Sequence, residues 1–218
     1  MERIKTPFRD MTIKQKLEHI WEYYKPVIFG IAAGIALIIY IIYKVLSPDP
    51  DAALNVTLVN ANGYEAVEEN TFIRYLKEQG YDLTAETAYI NTSLAIDGER
   101  GGQASATSMQ VLSAMVMVGE IDLLAGDAYT LQLMGSGGGL LPVDQILSSQ
   151  QLKEYEDRLY SVENPETGEQ LVCGIWLGEN NLLVQDGYYY DKVLVGIPYT
   201  AVHQELAIEM ITYLLEQE

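Results

Sequence analysis

The chain has 218 residues, of which 49% are hydrophobic and 20% are charged, and this composition fits one globular domain with an appendage. Residues 1–46 carry seven Lys and Arg against four Asp and Glu, a net charge of +3, whereas residues 47–218 carry six against 27, a net charge of −21. Because so acidic a domain repels phosphate backbones and anionic headgroups, the charge excludes DNA- and RNA-binding proteins.

The segment from Val27 to Tyr43 has no charged residue over its 17 positions. Extended from Pro26 to Leu46, it is long enough to cross a hydrocarbon core of about 30 Å. Lys and Arg are concentrated before it, so the positive-inside rule predicts a cytoplasmic N-terminus and an extracellular C-terminal domain. A cleaved signal peptide is the competing interpretation, but the SPDPDAA that follows is a poor A-x-A-like cleavage site.

The sequence therefore predicts a single-pass protein of the cell membrane, in contact with the lipid bilayer. Its predicted parts are a cytoplasmic amphipathic segment (1–25), a transmembrane helix (26–46), a linker (47–53) and an extracytoplasmic α/β domain (54–218). The amphipathic segment would either lie in the membrane interface or dock a partner. Gly30 and Gly34 form a GxxxG motif, a spacing that would allow a homodimer through closely packed transmembrane helices.

In the domain, apolar patterns with the period of strands alternate with patterns of helical period. Strands are predicted at 54–59, 81–90, 121–125, 159–163, 170–176 and 193–197, and helices at 65–79, 104–118, 127–134, 152–159 and 202–216. This order predicts an α/β fold in which one mixed sheet carries helices on both faces.

A glycine-rich run, GSGGG at 135–139, follows the predicted helix 127–134. A phosphate-binding loop would follow a strand directly and end in Gly-Lys-Ser/Thr, and neither condition holds here. The glycines are therefore predicted to end the helix and form a turn.

Motifs of known catalytic or metal-binding chemistry are missing from the sequence, which has no GxSxG, HExxH, CxxC or helix-opening GxGxxG. His19 and His203 fall on opposite sides of the predicted membrane and cannot share a site. Glu120 and Asp122 share one face at a strand start and are predicted to be solvated. Cys173 lies within a strand pattern, which favours a buried free thiol. We expect no catalytic residue, metal or cofactor.

Three phrases stand out, GEIDLLAGD at 119–127, GLLPVD at 139–144 and VGIPYTAVHQELAIEMITYLLEQE at 195–218, and together they resemble type 2 extracytoplasmic solute-binding proteins. In this family a G-x-x-D-apolar-apolar phrase leads through a ligand-facing loop to a G-x-L-x-P-L-D phrase. The stretch GEIDLLAGD, the short helix after it and GLLPVD resemble this succession. VGIPYTAVHQELAIEMITYLLEQE resembles the family's closing strand and helix. The resemblance covers 54–146 and 190–218. It implies a single solute-binding-protein-like lobe, because the 172 residues after residue 46 are too few for two lobes. This lobe, held by an uncleaved anchor, would belong to the envelope of Gram-positive bacteria.

Two functions follow as expectations. The first is a non-catalytic interaction module that contacts another envelope protein, such as a transporter. The alternative is a receptor that binds a small solute or peptide at the carboxyl ends of the strands. The alternative assigns ligand contacts to polar residues that follow four of the strands: Asn60, Asn62, Thr92, Asp127, Tyr199 and Thr200.

The same polar residues are common turn formers and helix caps, so a structural role is the competing interpretation. Asn62 and Tyr199 are the hardest to explain as caps. A structure that places these two residues at opposite ends of the sheet would contradict the receptor site. The run Tyr188–Tyr190 would either stack on a ligand or pack onto the sheet.

Overall fold

The computed structural model describes residues 12–46, 49–62, 69–165 and 167–217. By its internal contacts the chain forms two compact units, the first ending at Asp49 and the second beginning at Pro50. The first residues of the predicted cytoplasmic segment, residues 47–48 of the predicted linker, and the start of the predicted helix 65–79 lie outside the described residues.

The first unit contains one long helix, α1, from Ile13 to Leu46. Within it, the 20 residues from Lys25 to Lys44 have a mean hydropathy of 2.4, and none of them is buried. Such length and composition are those of a membrane span or a signal sequence. The helical conformation predicted over 26–46 is confirmed, as the second half of a longer helix.

The second unit contains six strands and six α-helices among its described residues. In chain order these are β1 (Asp51–Leu58), α2 (Thr71–Glu78), β2 (Glu86–Asn91), α3 (Gln103–Val118), β3 (Leu123–Gly126), α4 (Ala128–Gly135), α5 (Ser149–Glu154), β4 (Leu159–Glu163), β5 (Gln170–Leu177), α6 (Leu182–Gln185), β6 (Val193–Gly196) and α7 (Gln204–Glu216). The first strand thus starts three residues before the predicted 54, because Asp51 and Ala52 already pair with Glu86 and Thr87 of β2.

All six strands form one sheet in the order β2-β1-β3-β6-β5-β4. β1 pairs in parallel with β2 and β3, whereas β6 is antiparallel to β3, β5 to β6, and β4 to β5. The predicted α/β fold with one mixed sheet is confirmed. We call the end of the sheet where β1, β2 and β3 begin its amino end, and the opposite end its carboxyl end. Because β6 runs against β3, β6 finishes at the amino end.

Helices cover both faces of the sheet, and alternate residues of one strand supply both cores. Leu123 and Ala125 of β3 belong to a core with Phe72 of α2 and Met210 of α7. Leu124, between them, packs in a second core with residues of α3 and α4, including Leu112, Val116 and Leu131. This alternation follows from the two-residue period of a strand. A fully buried side chain of this size contributes about 1.5–3 kcal/mol to folding.

The glycine run at 135–139 ends α4, as predicted. The N–H of Gly139 donates to the carbonyl of Met134, and the N–H of Gly138 donates to that of Gly135, both at 2.9 Å. These two bonds form a Schellman motif, which needs a left-handed residue after the helix. Gly138 meets that need with φ +72°.

A matched pair of glycine substitutions tests this helix end. We expect Gly138→Ala to lower the free energy of unfolding by about 1 kcal/mol, because a Cβ disfavours the left-handed conformation. Gly137 has no positive φ, and a Cβ added there meets nothing within 4 Å, so Gly137→Ala should change stability by less than about 0.5 kcal/mol. Urea denaturation followed by circular dichroism measures both. Equal losses in the two variants would refute the assignment.

Candidate functional site

The six residues predicted to contact a ligand lie at two opposite ends of the sheet. Asn60, Asn62, Thr92 and Asp127 follow β1, β2 and β3 at the carboxyl end. Tyr199 and Thr200 follow β6, whose Gly196 pairs with Leu124 while its Leu194 pairs with Gly126. They therefore lie at the amino end. The prediction that all six line one site is wrong, because it assumed that β6 runs parallel to β3.

At the carboxyl end, Asn60 and Asp127 hold the loops together. Asn60, with φ +58°, donates from Nδ2 to the Ile96 carbonyl at 2.8 Å and to Oδ2 of Asp127 at 3.0 Å. Its Oδ1 accepts from the N–H of Ile96 at 2.7 Å. Asp127 also caps α4 by accepting from the N–H of Thr130 at 2.8 Å. Both side chains therefore act in loop structure and helix capping, which was the competing interpretation of these residues.

Asn62 also forms hydrogen bonds within the domain. Its Nδ2 donates to the Gly187 carbonyl at 3.2 Å, and its own N–H donates to the Tyr188 carbonyl at 2.8 Å. Thr92, just after β2, is half-buried. The tyrosine run divides: Tyr188 is fully buried, and Tyr189 donates from Oη to the Val59 carbonyl at 2.9 Å. Tyr190 alone is exposed, with 87% of its surface accessible.

The amino end contains a buried carboxylate that the sequence did not predict. Asp122, expected to be solvated, is completely buried. It accepts hydrogen bonds from the backbone N–H of His203 at 2.8 Å and from Nδ1 of His203 at 2.9 Å. The backbone N–H of Asn55 at 2.8 Å and its Nδ2 at 3.3 Å donate to the same carboxylate. Asp122 thereby connects β1, the start of β3 and the start of α7.

The surroundings of Asp122 stabilise its charge. Burial opposes ionisation, but the hydrogen bonds from His203 and Asn55 outweigh it and lower the pKa of Asp122 below its ordinary value. His203 is the residue before the first turn of α7, so the carboxylate also faces the positive end of the helix dipole. A carboxylate only accepts, so Nδ1 of His203 carries the hydrogen, which leaves Nε2 available on the half-buried ring.

An open groove of about 730 Å³ lies beside His203 at the amino end. The starts of β1 and β2 and the first turns of α7 form its walls. Three exposed carboxylates line it, those of Glu86, Glu205 and Glu209, and no Lys or Arg is among its described lining residues. We call this the amino-end groove. Its charge favours cationic groups.

Next to the groove lies a group of exposed apolar side chains, which we call the apolar patch. It comprises Met117, Val118, Tyr199 and Val202, each between 56% and 77% exposed.

The end of α3 lies close to the segment that follows β6. The hydroxyl of Thr200 donates to the carbonyl of Val116, and a Cβ placed on Gly119 would lie 3.5 Å from Cγ2 of Val202. Val202 also lines the amino-end groove, so the patch and the groove share this residue.

Among the described residues, no group of three or more His, Cys, Asp and Glu is arranged to hold a metal ion. Cys173, the predicted buried thiol, is indeed buried in β5, and burial raises its pKa to about 11. A thiol so protonated is a poor nucleophile at neutral pH. What the amino end offers is an apolar surface beside unpaired negative charge.

No protein-family model, curated protein or solved structure matches this chain. Function is therefore inferred from the geometry of the amino end.

Proposed function

We propose that the chain is a single-pass membrane protein whose α/β domain lies outside the cytoplasm and acts as a non-catalytic interaction module. It contacts another envelope protein, such as a transporter. The length and hydropathy of Lys25–Lys44 and the excess of Lys and Arg before this segment support the anchor and its orientation. The GxxxG of Gly30 and Gly34 would add a homodimer contact.

The apolar patch is the observation that carries the interaction function. Single exposed apolar residues are ordinary on protein surfaces, whereas contiguous ones mark interaction sites. Met117 and Val118 end α3, and Tyr199 and Val202 lie in the loop between β6 and α7. A partner that covers these side chains gains about 25 cal/mol for each Å² of apolar surface removed from water.

The receptor alternative receives less support. The side chains of Asn60, Asn62 and Asp127 form hydrogen bonds to loops and to a helix cap within the domain. Tyr199 lies at the opposite end of the sheet from them. The amino-end groove is open and acidic, whereas small-molecule sites are usually concave and mostly apolar. A single lobe resembling those of solute-binding proteins remains our proposal for the ancestry of the domain.

Affinity capture of the full-length protein from mildly solubilised membranes tests the interaction function. We expect the double variant Met117→Asp/Val202→Asp to recover at least about tenfold less of the specific partner than the wild type, because two charges in an apolar contact cost more than about 1.4 kcal/mol.

Tyr190→Asp provides the matched control, since Tyr190 is exposed but lies next to the start of β6, at the carboxyl end. It should recover the partner normally. Equal recovery by the double variant and the control would overturn the proposal, and so would the absence of any partner whose recovery depends on the patch. Thermal melting of each variant verifies that the domain is folded.

A further inference from the structure

We infer that the partner presents a basic segment to the amino end of the sheet, with apolar side chains on the apolar patch and Lys or Arg side chains over the amino-end groove. The inference rests on the proposed interaction function and specifies the chemistry of the partner.

Among the described residues, no Lys or Arg compensates the charge of the groove. Glu86, Glu205 and Glu209 are exposed, and none of them forms an ion pair with a described residue. The hydroxyl of Tyr75 donates to Oε2 of Glu209 at 3.2 Å, which fixes one carboxylate without neutralising it. Three unpaired carboxylates around one groove complement a cationic partner.

The groove and the patch are positioned to act together. Val202 belongs to both, and His203 follows it directly. A segment that packs on Val202 therefore places its neighbouring side chains over the carboxylates. Apolar contacts would supply affinity, and the charges would select the partner and accelerate association.

The same charge disfavours the bilayer as the occupant of the patch. Peripheral membrane proteins combine apolar side chains with Lys and Arg that bind anionic lipid. Here two exposed carboxylates, Glu120 and Glu205, lie within three residues of Val118 and Val202 along the chain, and the sequence from residue 47 carries a net charge of −21. A cationic protein segment complements both the apolar patch and the negative charge, whereas an anionic lipid surface complements only the apolar patch.

Photo-crosslinking from Val202 in the full-length chain, in intact membranes, tests the inference. The crosslinked segment is sequenced after cleavage at acidic residues, so that its Lys and Arg stay internal. We expect a segment with several Lys or Arg and few acidic residues. Glu86→Gln/Glu205→Gln/Glu209→Gln should lower the crosslinking yield about tenfold at low salt. Raising the ionic strength should lower the wild-type yield in the same direction.

Glu99→Gln/Glu179→Gln, which removes two carboxylates from the opposite end of the sheet, is the control, because both residues are exposed and follow strands that end at the carboxyl end. Its yield should equal that of the wild type. Crosslinking to a neutral or acidic segment, a yield insensitive to the groove variant, or crosslinking to lipid would overturn the inference. If the inference failed in this way but Met117→Asp abolished a crosslink to protein, the proposed interaction function would still be supported. If neither the wild type nor any variant formed a crosslink to protein, the inference and the proposed function would both be wrong.

Discussion

Replacing Asp122 by Ala is expected to lower the free energy of unfolding by about 3–5 kcal/mol. The carboxylate is completely buried and accepts the backbone N–H groups of Asn55 and His203. Its removal leaves both donors without that acceptor, and each unsatisfied buried donor costs about 1–3 kcal/mol. Denaturant unfolding of the full-length protein in detergent, followed by circular dichroism, measures the loss.

Glu120→Ala provides the control for this substitution. Glu120 lies two residues away but is exposed, so its removal should change stability by less than about 0.5 kcal/mol. Asp122→Asn keeps the shape of the side chain and one acceptor oxygen, and we expect a loss between those of the two alanine variants. If Asp122→Ala were as stable as Glu120→Ala, the carboxylate would not connect β1, β3 and α7 as described.

The contribution of Asp122 should also depend on pH in a defined direction. The pKa of Asp122 is lowered in the folded domain, so the unfolded chain binds the proton more readily. The stabilisation is therefore fully present above the unfolded pKa of about 4 and is lost as the pH falls through the folded pKa. The difference in unfolding free energy between the wild type and Asp122→Asn should shrink below about pH 4.

Local patterns predicted much of the fold. The apolar run of β6 predicted a strand, and the glycines at 135–139 predicted a helix end, because both depend on neighbouring residues alone. The predicted strand at 81–90 began too early. Asp82 accepts hydrogen bonds from the N–H and hydroxyl of Thr84, and this local turn delays the strand until Glu86.

The candidate site depended on features that a local pattern does not contain. Strand periodicity is the same in both directions, so the sequence did not show that β6 is antiparallel to β3, and Tyr199 was assigned to the wrong end. Asp122 and His203 are 81 residues apart, and the pairing of β3 with β6 brings them together. One signal was available: no Ser, Thr, Asp or Asn directly precedes α7, so its first N–H groups need an acceptor from elsewhere.

The apolar patch is expected to be covered in the cell and accessible in the purified protein. Cysteine labelling distinguishes these states, because the natural Cys173 is buried and protonated and should contribute little background. Met117→Cys reports on the patch, and Tyr190→Cys reports on the carboxyl end. The two parent side chains are similarly exposed, at 77% and 87%, so both variants should react at similar rates after purification in detergent.

The labelling rate of Met117→Cys on intact cells, relative to that of Tyr190→Cys and measured with a membrane-impermeant maleimide, tests the central claim most directly. We predict that Tyr190→Cys reacts readily without lysis, and that Met117→Cys reacts about tenfold more slowly until the protein is purified, as expected for a patch occupied about nine-tenths of the time. Equal rates on intact cells would show that no partner covers the patch, and labelling of Tyr190→Cys only after lysis would place the domain inside the cell.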